Sequence, residues 1–343
     1  MDCRLTLITP ISSFSKRDME SFFSMLRKQT NQNFECVLVL NGNKHAIEEG
    51  LSTLKECKLP SNAKIIIDDS NTYIGGARNH GINNAKSDYI SFVDLDDSLN
   101  ETFVEETFKL LKNNVDAIVY NYKIISVLSD GNETASHKEI TKNDRMVSGG
   151  EAAELCIRKE INKPCWNKVF NKRVIQTNPF FLNCNGEDYC MPLILKRCRR
   201  VYLSNYESYI YFLNSTSSSH KNDFENCFYS LILSALVLNE FGESYTEPIM
   251  KLNLKDFYKT TIMFRVLRIK KELKKIHAFY RRHRNYIAGR FSIKTFFLFL
   301  LSKTYIGAKL SIRIKKEKIN MTRLKSFIDL YLDNAILCFE KFK

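Results

Sequence analysis

Short β-branched and aromatic runs alternate with amphipathic stretches along the front of this chain. Leu5 to Thr9, Phe34 to Leu40, Ala63 to Ile67, Tyr89 to Val93 and Ala117 to Tyr122 read as strands. Between them lie helical patterns at Arg17 to Lys28, with apolar Met19, Phe22, Phe23 and Leu26, at His45 to Leu54, Gly76 to Asn84 and Glu101 to Lys112. Strand and helix in strict alternation predict an α/β fold with a largely parallel, Rossmann-like sheet, whose ligand lies at the carboxyl ends of the strands. Ser129 to Gly150 is polar and turn-rich, a loop or short hairpin. A helix from Gly150 to Ile157, the segment Pro164 to Phe170, a helix opening at Gly186-Glu187-Asp188 and a strand from Glu207 to Leu213 follow. Then comes a Ser/Thr-rich loop, Asn214 to Ser219, and beyond Lys221 the periodicity is helical throughout.

The strand ending at Val93 delivers Asp94, Leu95, Asp96 and Asp97. Three carboxylates on one turn repel each other unless a cation or protons neutralise them. Hard oxygen ligands at a strand's carboxyl end suit Mg²⁺ or Mn²⁺ carrying a phosphorylated substrate. A solvated turn is the competing explanation, because Asp is common after strands. No Gly-x-Gly-x-x-Gly follows the first strand and no Walker lysine motif occurs, which points away from a dinucleotide dehydrogenase or a P-loop enzyme.

Composition is that of an ordinary globular chain: 343 residues, 44% hydrophobic and 26% charged, enough for two domains. The ten cysteines contain no Cys-x-x-Cys pair, which argues against zinc and against a disulfide framework and for a reducing compartment. Met1-Asp2-Cys3-Arg4 runs into the first strand, so the expectation is a chain without a signal peptide. The net charge of +14 is unevenly placed. Residues 1–220 hold 27 basic and 27 acidic side chains, whereas 221–343 hold 25 and 11. A neutral front domain, 1–220, and a basic helical region, 221–343, therefore meet different partners.

Asn71-Thr72-Tyr73-Ile74-Gly75-Gly76-Ala77-Arg78-Asn79-His80-Gly81, followed by Tyr89 to Asp97, resembles the Ala-Arg-Asn helix and Asp-x-Asp-Asp turn of glycosyltransferase family 2. Trp166-Asn167-Lys168 and Gly186-Glu187-Asp188 are similar to that family's Trp-x-Lys segment and Glu-Asp pair. Tyr209-Ile210-Tyr211 and the loop ending at His220 are similar to its closing segment. The resemblance covers residues 4 to about 220. It implies a GT-A fold (a Rossmann-like mixed sheet flanked by helices) with the α-helical basic region appended, and an inverting, metal-dependent sugar transfer from a nucleotide-sugar, UDP-sugar best, to a glycan or lipid-linked acceptor. By resemblance Asp96 and Asp94 bind Mn²⁺ or Mg²⁺, with His220 as a further ligand, and Thr9, Pro10, Asn41, Asn71, Arg78, Asp94 and Lys168 serve the donor. Trp166 stacks on the acceptor, and Asp188, with Glu187 as the weaker candidate, is the general base. For several of these residues there is a plainer reading. Arg78 could form a surface salt bridge, Asn71 could be a turn former, Trp166 could be core, and Asp188 could answer the helix dipole.

The sequence also departs from the family. Leu40-Asn41-Gly42 replaces a pair of aspartates after the second strand, Ser12-Ser13 replaces Tyr-Asn, Phe212 stands for an arginine, and Tyr73 stands where the family has Gly. The last third carries a basic amphipathic stretch, Phe264 to Arg290, then the apolar run Phe291 to Leu301, which is too short for the roughly 20 residues that cross a bilayer. Such a stretch fits the anionic membrane surface, and no nucleic-acid module accompanies it. The expectation is a cytoplasmic protein, peripheral at the inner face of the cytoplasmic membrane, in bacterial surface-polysaccharide assembly. Two rivals are a sugar-phosphate nucleotidyltransferase and a non-catalytic basic adaptor with an inactive sheet domain.

Overall fold

Strands β1 (Leu5–Ile11) and β2 (Glu35–Asn41) are buried almost end to end, without the alternation of a one-sided sheet. That is the mark of a parallel sheet covered on both faces. They belong to a computed structural model that describes residues 5–12, 14–70, 73–127, 133–177, 179–182, 184, 186–213 and 240–241. The chain divides into two compact units: Met1–Leu182 with Cys190–Ser217, and Asn183–Tyr189 with Ser218–Lys343. The basic stretch and the apolar run of the last third lie outside the described residues. Among the described residues no helix is long and apolar enough to cross a membrane.

In the first unit β1 pairs in parallel with β2 and with β4 (Tyr89–Phe92), and β2 pairs in parallel with β3 (Ala63–Asp68). The sheet continues through β9 (Lys168–Asn171), antiparallel to both β4 and β6 (Ala117–Val127). β10 (Arg200–Leu213) runs parallel to β6 and ends against the two-residue β5 (Ser98–Leu99). The resulting order is β3-β2-β1-β4-β9-β6-β10-β5. The polar region after β6 is a pair of edge strands, β7 (Glu133–Lys138) on β6 and β8 (Arg145–Ser148) on β10. The mixed sheet flanked by helices is the GT-A architecture expected from the sequence.

Helix α1 (Lys16–Arg27) starts where Ser15 and Asp18 form a reciprocal capping box, and buries Met19, Phe22, Phe23, Met25 and Leu26. Helix α2 (Lys44–Lys55) is capped by Asn43. Helix α3 (Tyr73–Asn84) carries the Ala-Arg-Asn motif and lies so close to the sheet that a Cβ on Gly81 would stand 2.4 Å from Ile8 Cγ2. Only glycine fits that approach. The helix opens on Tyr73 with φ of 63°, the left-handed region, which explains why a glycine suits this position better. Helices α4 (Phe103–Leu111), α5 (Gly149–Ile157), α6 (Lys172–Gln176) and α7 (Met191–Arg197) complete the layers. The helix expected at Gly186 is instead a 3-10 turn, Glu187–Cys190, and α7 begins after it. Pro192 favours the first helical turn, so regular helix starts beside the proline rather than upstream.

Candidate active site

The carboxyl ends of four parallel strands form one edge of the sheet. Pro10 and Ile11 of β1 lie opposite Val39 and Leu40 of β2, and Asn41 lies opposite Asp68 of β3. Val93 donates its N–H to Ile8 O (3.0 Å), so β4 delivers Asp94 beside the end of β1. Thr9 is fully buried, whereas Pro10 and Asn41 are half-buried at this edge. Sequence reasoning missed Asp68. It is buried, its Oδ1 accepts from the Ser70 N–H (3.2 Å) and hydroxyl, and its Oδ2 is buried without a protein hydrogen bond among the described residues. The signal was present, since Asp68 ends an apolar Ile65-Ile66-Ile67 run as Asp94 follows Phe92-Val93.

Asp94 to Asp97 is a tight turn closed by Asp97 N–H to Asp94 O at 3.1 Å. Its three carboxylates have different fates. Asp94 Oδ1 receives the Arg78 guanidinium at 3.0 Å, while the carboxylate keeps a quarter of its surface open. Asp96 opens to solvent at the corner of the turn, yet partial desolvation first and Asp94 second raise its pKa. Asp97 turns inward, and burial followed by the Asp94 charge pushes it up to about 8. Its oxygens accept from the Tyr209 hydroxyl (2.7 Å) and the Phe212 N–H (2.9 Å).

Arg78 is almost fully buried, with its guanidinium carbon 6.0 Å from the Phe92 ring centre and 5.6 Å from that of Phe180. From inside the fold the guanidinium orients the half-buried Asp94. Breaking such a pair costs about 3–5 kcal/mol. Next to it, Asn79 holds Phe180 by both backbone groups, donating to its carbonyl and accepting from its N–H, each at 2.9 Å.

Two further motif residues are packed inside the fold. Lys168 is fully buried in β9, and its ammonium donates to Asn162 Oδ1 (3.0 Å), Pro164 O (2.6 Å) and Asn167 Oδ1 (2.8 Å). It braces its own loop, since three short bonds to that loop account for the three ammonium protons. Trp166, 7% exposed, stacks on Tyr209 (centroids 4.6 Å apart) and Tyr211 (5.6 Å) and meets Tyr122 edge-on. Its ring packs among tyrosines, as a core residue does. Asn71 and His220 lie outside the described residues. Glu187 and Asp188 belong to the second unit, where Tyr189 N–H bonds Gly186 O at 3.0 Å to close the 3-10 turn.

Among the described residues no group of three or more His, Cys, Asp or Glu side chains could hold a metal by itself. The turn nonetheless fits a divalent cation of the Mg²⁺ or Mn²⁺ kind. Such ions are held by one or two carboxylates together with substrate phosphates. Burial first, and the Asp94 charge after it, raise the carboxyls of Asp96 and Asp97, and a bound cation would offset both.

The comparisons agree with this geometry. Residues 17–177 match the family model described as Glycosyl transferase family 2. The chain is 23% identical over 233 residues to Glycosyltransferase GlyA of Streptococcus pneumoniae serotype 4, covering 64% of this chain and 32% of that protein. It is 23% identical over 162 residues to the putative glycosyltransferase EpsH of Bacillus subtilis, covering 47% and 45%. The chain thus spans between a third and a half of the length of these curated relatives. In fold it is similar to residues 1–349 of S. aureus TarS, solved in complex with UDP-GlcNAc, with a TM-score of 0.56 and 15% identity over 99% of this chain and 91% of that one. Residues 17–177 are thus similar in sequence to glycosyltransferase family 2, on a fold similar to that of a solved glycosyltransferase.

Proposed function

We propose that the chain is an inverting, metal-dependent glycosyltransferase. It would move one sugar from a nucleotide-sugar, with UDP as the nucleotide, to a hydroxyl of a glycan or lipid-linked acceptor. The observation that carries this reading is the Asp94–Asp97 turn, raised in pKa and anchored by a buried arginine at the sheet's carboxyl edge. Asp94 and Asp96 would hold Mn²⁺ or Mg²⁺, which when bound supplies Lewis-acid stabilisation of a departing diphosphate. Arg78 serves the donor through Asp94, whose carboxylate it orients. Pro10, Asn41 and Asp68 at neighbouring strand ends receive the nucleoside, and Asn71 adds to that side by its motif. Support for a uridine donor comes from the fold shared with a protein solved with UDP-GlcNAc.

Asp188 is the general base in this reading, with Glu187 beside it. The acceptor oxygen attacks the anomeric carbon, the bond from that carbon to the phosphate oxygen breaks, and the acceptor's proton passes to Asp188. Glycosyltransferase names on the relatives support a role in glycan assembly. The excess of basic residues beyond 220 supports a station at the inner face of the cytoplasmic membrane. The deciding measurement is nucleotide release from UDP-, GDP- and CDP-sugars with Mn²⁺. UDP release that Asp188→Asn lowers about a thousandfold is the expected outcome. Full transfer by that variant overturns the assignment of the base.

A further inference from the structure

The tyrosine beneath the carboxylate turn is not accounted for by packing alone. β10 breaks register twice, between Ser204 and Glu207 and again between Glu207 and Tyr209. Bulges of this kind re-aim side chains and gather next to active sites. Past them Tyr209 lies opposite Leu99 of β5, fully buried, with its ring stacked on Trp166. Its hydroxyl accepts the Asp94 N–H (3.1 Å) and donates to Asp97 Oδ2 (2.7 Å). One oxygen therefore holds both ends of a four-residue turn. Asp97 passes the restraint on, because its other oxygen accepts the Phe212 N–H (2.9 Å).

We propose that Tyr209 is a positioning residue for divalent-cation and diphosphate binding. Its hydroxyl sets the spacing of Asp94 and Asp96, and the inference rests on the donor-site reading above. A ring that served only the core would need no hydroxyl here. Without the oxygen, the Asp94 amide and the Asp97 carboxylate lose a shared partner in the interior, and the turn relaxes to find others. Asp96, at the corner, has no comparable anchor among the described residues and moves with it. Misplacement by about 1 Å is enough to cost a hundredfold in a positioned site.

The test is Tyr209→Phe in the full chain, which keeps the ring and its stack. UDP binding with Mn²⁺ is followed by titration calorimetry, and kcat and donor KM by nucleotide release. Expected is about tenfold weaker Mn²⁺-dependent UDP binding and a matching rise in half-activating Mn²⁺, with kcat at saturation within about threefold. The control is Tyr206→Phe, which removes a hydroxyl bonded to Thr102 Oγ1 (2.8 Å) on the same strand. It should leave both constants within about twofold. Wild-type-like binding by Tyr209→Phe overturns the proposal, as does an equal loss in the control. If Tyr209→Phe does not fold, Asp97→Asn must weaken Mn²⁺-dependent binding in the same direction, or the idea falls. An unaltered chain that binds no UDP with any divalent cation overturns the donor-site reading itself, a result distinct from equal binding by chain and variant.

Discussion

The carboxyl edge of β1 to β4 and the loop before β9 both carry polar motif residues, yet they treat charge in opposite ways. Before β9, Lys168 is fully buried and its donors meet Asn162, Pro164 and Asn167, while Asn167 also donates to Tyr120 O at 2.7 Å. At the carboxyl edge Arg78 pairs with Asp94, and burial followed by the Asp94 charge raises the other two aspartates. A satisfied polar network rigidifies a fold, whereas an uncompensated one invites a ligand. Motif membership did not separate the two cases. The count of partners did.

Two substitutions should pull the regions apart, and the largest effect is expected at Asp96. Asp96→Asn should lower transfer by about three orders of magnitude, roughly 4 kcal/mol of transition-state stabilisation. Its melting temperature should hold or rise, because a repelled carboxylate has gone; a drop in stability together with activity would erase the contrast. Lys168→Met should do the reverse. Leaving three buried acceptors without their donor costs about 3 kcal/mol, read by denaturant unfolding. Transfer by the folded fraction should stay within about threefold of wild type. If KM for the donor rises tenfold while stability is kept, Lys168 belongs to the donor site after all.

A smaller effect sharpens the electrostatic half of the comparison. Asp97 sits up at about 8, through burial and then the Asp94 charge, so the folded chain holds a proton that the unfolded chain releases near pH 4. Its contribution to stability is complete below about pH 4 and is lost as pH rises through about 8. Urea titrations of metal-free protein across that window should show the decline, and Asp97→Asn should flatten it. An identical pH profile in the variant would remove Asp97 as the source. The smallest expected change is at Tyr73. Tyr73→Gly relieves a left-handed φ of 63° and should gain about 1 kcal/mol without altering nucleotide release.

Legibility in the sequence followed burial pattern. β1, β2 and β4 are mostly apolar and almost wholly buried runs, and α1 has clear helical spacing behind a Ser-x-x-Asp start, so the half of the fold that builds the carboxyl edge could be read directly. β5 is two residues long and β9 opens on a buried lysine, and neither carries a period. Only the end of β10 was readable. Its first half contains Arg200, Ser204 and Asn205, and its bulges shift the alternation before Tyr209. Asp94 and Asp96 stood out because the Ala77-Arg78-Asn79 segment precedes them and Glu187-Asp188 follows, since Asp after a strand is by itself common. The hydroxyl of Tyr209 was not, because nothing local ties it to a turn 112 residues away. Asp68 shows the opposite failure: the same local signal as Asp94, overlooked for want of a motif around it.

That distance also orders events during synthesis. The strands β3, β2, β1 and β4 can be assembled once residue 92 is made, so the sheet edge exists early. Asp97, however, finds its partners only when Tyr209 and Phe212 arrive, 112 and 115 residues later. A nascent chain therefore carries a repelling, unbraced turn until almost the whole sheet has been delivered. Chains cut short before β10 would keep the early strands and lack the geometry at their tips, which makes synthesis through Phe212 a condition for a working carboxylate turn.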